Sequence, residues 1–330
     1  MSAVQALTAQ PVLIGLDWGT TAMRAYLFDA LGNVVDSRAS SEGIMRLPQP
    51  GGFDAAFESA CGAWLEASPG LPVIAAGMVG SAQGWREAPY VDVPADASAL
   101  VAGIVDVTTA RGVSVRIVPG VIERGDLPNV MRGEETQIVG ALASDAIAAN
   151  SRTLVGLPGT HAKWAVVRGE RIESFHTFMT GELYAALREH TILGRTMLEP
   201  VEPDTQAFLR GVTVAKHAQR AGLLATIFST RTLGLTGALS PEQQPDYLSG
   251  LLIGHELAGL AALLESRDAP LADEVPRLIG GAALCERYRL ALAEFGCRRA
   301  SVVEAAAENG LWRIATQAGF VPRSAAAPAS

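Results

Sequence analysis

The feature that most constrains this chain is a short pattern that occurs twice. Residues 12–17 form an apolar run that ends in Asp17, stops at Trp18, Gly19, Thr20 and Thr21, and resumes at residues 23–28. Apolar, partly β-branched runs on either side of a Gly-Thr turn predict two antiparallel strands. Gly32 and Asn33 then supply turn chemistry, and residues 34–38 a third strand. The same order returns as a strand at 153–157, a turn through Pro158, Gly159, Thr160 and His161, a strand at 163–167, a turn at 168–170 and a strand at 171–176. Gly19 and Gly159 lie 140 residues apart, too far for a solenoid repeat and the right distance for a duplicated domain. A chain of 330 residues, 49% of them hydrophobic, supports two cores.

Between and after the two meanders the pattern is mixed α/β. Phe53, Ala56, Phe57, Ala60, Trp64 and Leu65 follow helical spacing over 53–67, which Pro69 and Gly70 close. A buried strand at 72–76 runs into a small-residue loop at 77–84, where backbone can approach a ligand closely. Residues 85–94 read as irregular, and 115–118 as a short strand. A helix is expected over 134–150, with Ile138, Val139, Leu142, Ala146 and Ile147 on one face and two glutamates at its positive end. Later helices are expected at 203–222, 247–266 and 282–295, the last opened by Gly280 and Gly281 after a strand at 276–279. Residues 1–11 and the Ala/Ser/Pro tail at 322–330 read as disordered.

Composition narrows the partners. A formal charge of −8, with no basic run, argues against nucleic acid or an anionic membrane, so any phosphate must be held locally. The apolar stretches 248–253 and 258–264 fall short of the roughly 20 residues of a membrane helix. Residues 1–11 lack the marks of a secretory signal. Cys61, Cys285 and Cys297 are too few and too scattered for a disulfide framework or a zinc site. A cytoplasmic protein is expected, and a homodimer is compatible with all of this.

A tight turn rich in Gly and Thr suits a nucleotide phosphate, because successive backbone N–H groups and hydroxyls point into it. Gly19, Thr20 and Thr21 form one such turn, and Gly159, Thr160 and His161 the other, with Lys163 able to offset charge beside it. Asp17 would repel phosphate directly, so it calls for a hydrated magnesium ion between them. Gly280 and Gly281 stand at a strand-to-helix junction where an adenine could lie on bare backbone. One turn alone would read as an ordinary surface hairpin; two in matching meanders do not.

These residues resemble the actin-like ATPase superfamily, and more closely the 2-dehydro-3-deoxygalactonokinases. The resemblance rests on Asp17 to Thr21 with Arg24, on residues 77–81, on the strings Arg-Gly-Glu-Glu-Thr-Gln at 132–137 and Leu-Pro-Gly-Thr-His-Ala-Lys-Trp at 157–164, on 177–182 and on 280–284. It runs from Val12 to about Gly319. It implies two actin-like (ribonuclease H-like) domains with a nucleotide cleft between them, spanning 12–133 and 134–321 and closing on the substrate. It also implies ATP as phosphoryl donor, Mg2+ as its ion, and the 6-hydroxyl of a sugar acid, 2-dehydro-3-deoxy-D-galactonate, as acceptor.

Phosphoryl transfer to an alcohol needs a carboxylate to take its proton. Larger sugar kinases carry Gly-Asp at the start of the connecting helix, where this chain has Gly133-Glu134. Glu134 is therefore the candidate base, with Glu135 its alternative, since adjacent helical residues point about 100° apart; both could instead merely cap the helix. Ser81, Gln83 and Trp85 are candidates for the substrate, although Trp85 could equally be a packed core residue. Arg24, Arg46 and Arg86 are candidates for the substrate carboxylate. A glucokinase-like enzyme of the same fold and a filament-forming or chaperone-type ATPase are the rival readings. A dinucleotide oxidoreductase lacks its Gly-x-Gly-x-x-Gly after a strand.

Overall fold

The structure, a computed structural model, describes residues 10–143, 151–218 and 221–321. The expected tail at 322–330, residues 1–9 of the expected loose start, and residues 144–150 of the expected helix lie outside these. Two compact units divide the chain. One takes the residues up to 151, the segment 167–174 and those from 304 onward; the other takes 152–166 and 175–303.

In the first unit the opening meander is β1 (Pro11–Trp18), β2 (Met23–Asp29) and β3 (Val34–Ser40). The strand therefore begins at Pro11, inside the segment expected to be loose. β1 and β2 are antiparallel, with Asp17 opposite Arg24. The helix Gly52–Ala67 returns the chain to β4 (Val73–Ala76), which lies parallel to β1 with Asp17 beside Ala76. Three short strands were not legible as strands: β5 (Tyr90–Asp92), inside the stretch expected to be irregular, and β6 (Val105–Thr108) on the far side of the short helix Ala97–Ala102, then β8 (Gly120–Glu123) after β7 (Ser114–Ile117). The same is true of β9 (Asn129–Met131). Segments of three or four residues carry little signal of their own. The main sheet runs β3-β2-β1-β4-β7-β6, and β5-β8-β9 form a small second sheet. Its core packs Leu16, Trp18, Phe57, Trp64, Val73 and Val115 between the main sheet and the helix Gly52–Ala67.

A further sheet holds β10 (Arg152–Leu157), β11 (Ala162–Arg168), β12 (Arg171–Phe178), β13 (Arg277–Leu278) and β14 (Ser301–Val302), in the order β12-β11-β10-β13-β14; apart from residues 167–174, which group with the first unit, it belongs to the second unit. The order β3-β2-β1-β4-β7 is thus repeated strand for strand, which is the ribonuclease H-like arrangement of the actin-like ATPases. Leu154, Trp164, Phe208, Leu257 and Tyr288 form its core. The helix Gln244–Glu265 is the one described helix long and apolar enough to cross a membrane by length and composition, longer than the interrupted apolar runs suggested. Most of it is buried in this unit, and a Cβ on Gly250 would stand 1.9 Å from the Phe208 carbonyl oxygen, so its backbone lies directly on the helix Thr205–His217.

A helix pair lies at the boundary expected at residue 134. The helix Glu134–Ala143 packs against the helix Ala306–Gln317, and both belong to the first unit. A Cβ on Gly140 would come 1.9 Å from the Ala306 carbonyl oxygen, and one on Gly310 would come 1.9 Å from that of Thr136. Two backbones in direct contact leave no room for side chains, so the end of the chain is committed to the first unit.

Candidate functional site

In the first unit, the candidate groups are assembled by backbone contacts. Gly19 donates to the Ala22 carbonyl at 2.9 Å and closes the turn after β1. Ile44 and Met45 donate to the carbonyls of Gly19 and Thr20, both at 3.0 Å, and so brace the turn from behind. Thr20 and Thr21 stay exposed. Gly43 is wedged there: a Cβ would fall 2.4 Å from both Ala22 N and Thr20 O. Gly43→Ala must displace the turn, and it is expected to cost about 1–3 kcal/mol of stability, read by thermal melting.

Gly77 follows β4 with φ 97°, and a Cβ there would meet the Trp18 carbonyl oxygen at 2.8 Å. Gly133, at φ 108°, lies against Gly77 in turn, with a Cβ at 3.2 Å from the Gly77 Cα. Three backbones are stacked, and the helix Glu134–Ala143 starts beside the end of β1.

The two glutamates face different ways. Glu135 is fully buried; its Oε2 accepts from Gly133 N at 2.7 Å and its Oε1 from Thr136 Oγ1 at 3.0 Å. Burial, reinforced by the charge of Glu134, pushes its pKa up to about 7. Glu134 is partly accessible, and its Oε2 accepts from Arg132 N at 3.0 Å. Capping therefore accounts for both carboxylates, but only Glu134 also reaches solvent.

Asp17 is held by β1 with its carboxyl pKa raised. Burial is the main cause; Arg24 opposes it, and the carboxylates of Glu308 and Glu134 add to it. Glu308, in the first turn of the helix Ala306–Gln317, was missed in the sequence, because nothing local marks a helix that returns from the end of the chain. Tyr26 feels the same group: burial first, then Glu308 and Asp17, drive its hydroxyl pKa upward. Such a concentration of negative charge is relieved by a cation. Among the described residues no group of three or more His, Cys, Asp or Glu forms a protein cage for one. A magnesium ion that keeps most of its waters and uses one or two carboxylates fits this donor set.

Of the substrate candidates, Arg24 is exposed on β2. Gln83 is exposed, while the Ser81 Oγ is buried without a partner. Trp85 stacks on Phe53 with centroids 5.6 Å apart and meets Trp18 edge-on at 5.8 Å, so its ring is part of the core.

In the second unit, the turn at Gly159 and Thr160 is clamped by the start of the helix Thr180–His190. Glu182 N donates to the Thr160 carbonyl at 3.0 Å, and a Cβ on Gly181 would stand 2.5 Å from the Gly159 carbonyl oxygen. His161 pairs through Nε2 with Glu182. Lys163 is buried and donates to Thr177 Oγ1 at 2.9 Å. Thr180 and Tyr288 donate to the buried Glu256, as does Trp164 Nε1 at 2.7 Å. A cavity of about 440 Å³ opens beside the turn, lined by Gly159, Thr160, Tyr184, Leu252, Leu284 and Arg287 among others. Gly281 caps the helix Ala282–Glu294 that supplies Leu284, Arg287 and Tyr288, and a Cβ there would meet only open space. A mostly apolar hollow beside a Gly-Thr turn can take a flat base with its phosphates on the turn.

The model of the 2-keto-3-deoxy-galactonokinase family matches residues 17–314. The 2-dehydro-3-deoxygalactonokinase of Escherichia coli (strain K12) is 36% identical over 304 residues, covering 92% of this chain and 97% of that one. A crystal structure of a candidate 2-dehydro-3-deoxygalactonokinase from Sinorhizobium meliloti superposes with a TM-score of 0.82 at 33% identity, covering 92% of this chain and 98% of that one. Residues 17–314 span both Gly-Thr turns, both glutamates and Gly280-Gly281, and with them the chain belongs to the 2-keto-3-deoxy-galactonokinase family.

Proposed function

We propose that the protein transfers the γ-phosphoryl group of ATP to the 6-hydroxyl of 2-dehydro-3-deoxy-D-galactonate, a cytoplasmic step of galactonate breakdown. Family membership supports the substrate, and one observation carries the chemistry: Glu134 presents an accessible carboxylate in the same unit as Asp17 and the Gly19-Thr20-Thr21 turn, while Glu135 is turned inward.

In this reading Glu134 accepts the proton of the 6-hydroxyl as its oxygen bonds to the γ-phosphorus and the bond from that phosphorus to the bridging oxygen of ADP breaks. Asp17 would hold magnesium through water, and the ion would neutralise charge on the phosphates. Each Gly-Thr turn would offer backbone and side-chain donors to phosphate: Gly19, Thr20 and Thr21 in the first unit, and Gly159, Thr160 and His161 in the second. The cavity above Gly159, with Gly280 and Gly281 at its helix, would take the adenosine.

A coupled ATP assay over a panel of 2-keto-3-deoxy acids tests the reading, with the product's phosphate position fixed by phosphorus–proton NMR. Transfer to C6 of the galactonate derivative, dependent on magnesium and weakened by Asp17→Asn at low magnesium, is the expected result. Activity on neutral hexoses with none on any acid would overturn it.

A further inference from the structure

Arg132 has a buried guanidinium that the protein does not satisfy. The residue is 8% exposed; its Nη2 donates to the Ala88 carbonyl at 2.9 Å and its plane lies over the Tyr90 ring, 4.3 Å from the centroid. Its Nε and Nη1 are buried and have no acceptor. A buried donor without an acceptor is costly, and a buried charge more so. The surroundings are specific. Gly80 packs on the guanidinium so closely that a Cβ would stand 3.1 Å from Nη1, and Gly80 in turn accepts from Ala88 N at 2.9 Å. The next residue, Ser81, also has a buried hydroxyl with no partner. Arg132, two residues before Glu134, thus lies with two unused donor nitrogens against Gly80, and the neighbouring Ser81 carries a buried hydroxyl with an unused donor. The arginines considered from sequence, Arg24, Arg46 and Arg86, are all exposed.

We infer that Arg132, with Ser81, takes the carboxylate of the sugar acid and makes the enzyme selective for acids over neutral sugars. This rests on the sugar-acid kinase reading and adds the group that recognises the acid. A carboxylate offers acceptors for the orphaned Arg132 nitrogens and for the Ser81 hydroxyl, and a charge-assisted pair in a desolvated place is stronger than an exposed one. Gly80 of the loop at 77–84 lies against the Arg132 guanidinium, so admitting the acid requires this loop to shift.

The test compares two acceptors: the 2-keto-3-deoxy acid, and the 3-deoxyhexulose that carries CH2OH in place of its carboxylate. Wild-type activity on the acid tests the kinase reading by itself. Arg132→Met keeps the apolar stem over Tyr90 and removes the charge. It is expected to lower kcat/KM for the acid by about 100-fold or more while changing that for the neutral analogue less than about threefold, with the KM for ATP unchanged. Its melting temperature without substrate should be no lower than wild type's, because the orphaned charge is gone. Equal losses on both acceptors, or an unchanged acid preference, would overturn the inference. Should Arg132→Met fail to fold, Arg132→Lys decides: a loss confined to the acid supports the role, and an equal loss on both acceptors removes it.

Discussion

Glu134→Gln is expected to lower kcat by about 10²- to 10⁴-fold, the usual contribution of a positioned general base. The substitution is close to isosteric, and the amide oxygen can still accept from Arg132 N, so the start of the helix Glu134–Ala143 should be preserved. The cavity proposed for adenosine and one of the two turns proposed for phosphate belong to the second unit, away from Glu134, so ATP affinity is expected to fall far less than kcat. Rapid-mixing turnover and calorimetric ATP binding separate the two quantities. Near wild-type turnover in Glu134→Gln would remove this residue from the role, and a parallel loss of ATP affinity would point to misfolding of the site.

The second large effect concerns Glu135 and pH. Its folded pKa, about 7, lies above the 4.5 of an unperturbed glutamate, so between these values the folded chain holds a proton that the unfolded chain has released. Stability from this group is therefore fully present below about pH 4.5 and is lost as the pH rises toward 7. The shift corresponds to roughly 3 kcal/mol across the window. Glu135→Gln carries no titrating carboxyl, yet can still accept from Gly133 N. It is expected to be more stable than wild type by about 1–3 kcal/mol near pH 8, and to differ little near pH 5. Urea melts at the two pH values read this directly. Since the charge of Glu134 contributes to the shift, Glu134→Gln should also flatten the wild-type slope.

The two meanders were readable because each is an apolar run broken by a turn, a signal contained within about 25 consecutive residues. Glu134 was readable for a similar local reason, as the carboxylate at the head of a helix. Choosing between Glu134 and Glu135 was not, because that depends on which side of the helix meets the rest of the first unit. Lys163 shows the same gap. It sits in β11, whose residues from Ala162 to Val167 are all buried, so the alternation that would have told its direction is missing. Trp85 reads equally as a substrate contact and as a packed ring, and Phe53, Phe57 and Trp18 claim it for the core from segments up to 67 residues away. Glu308 needed knowledge of where the end of the chain goes. Partners that are distant in sequence decide each of these cases, and no window along the chain contains them.

The return of residues from 304 onward to the first unit also bears on how the protein is made. Growing from the ribosome, the first half of the chain exposes the Gly140 face of its connecting helix with nothing to cover it. The second unit, uninterrupted from 175 to 303, can close before its predecessor does. The acidic group that includes Glu308 is therefore finished only after the second unit has been synthesised, and a chain cut short of residue 304 would leave the first unit without a wall and the Asp17 turn without one of its charges.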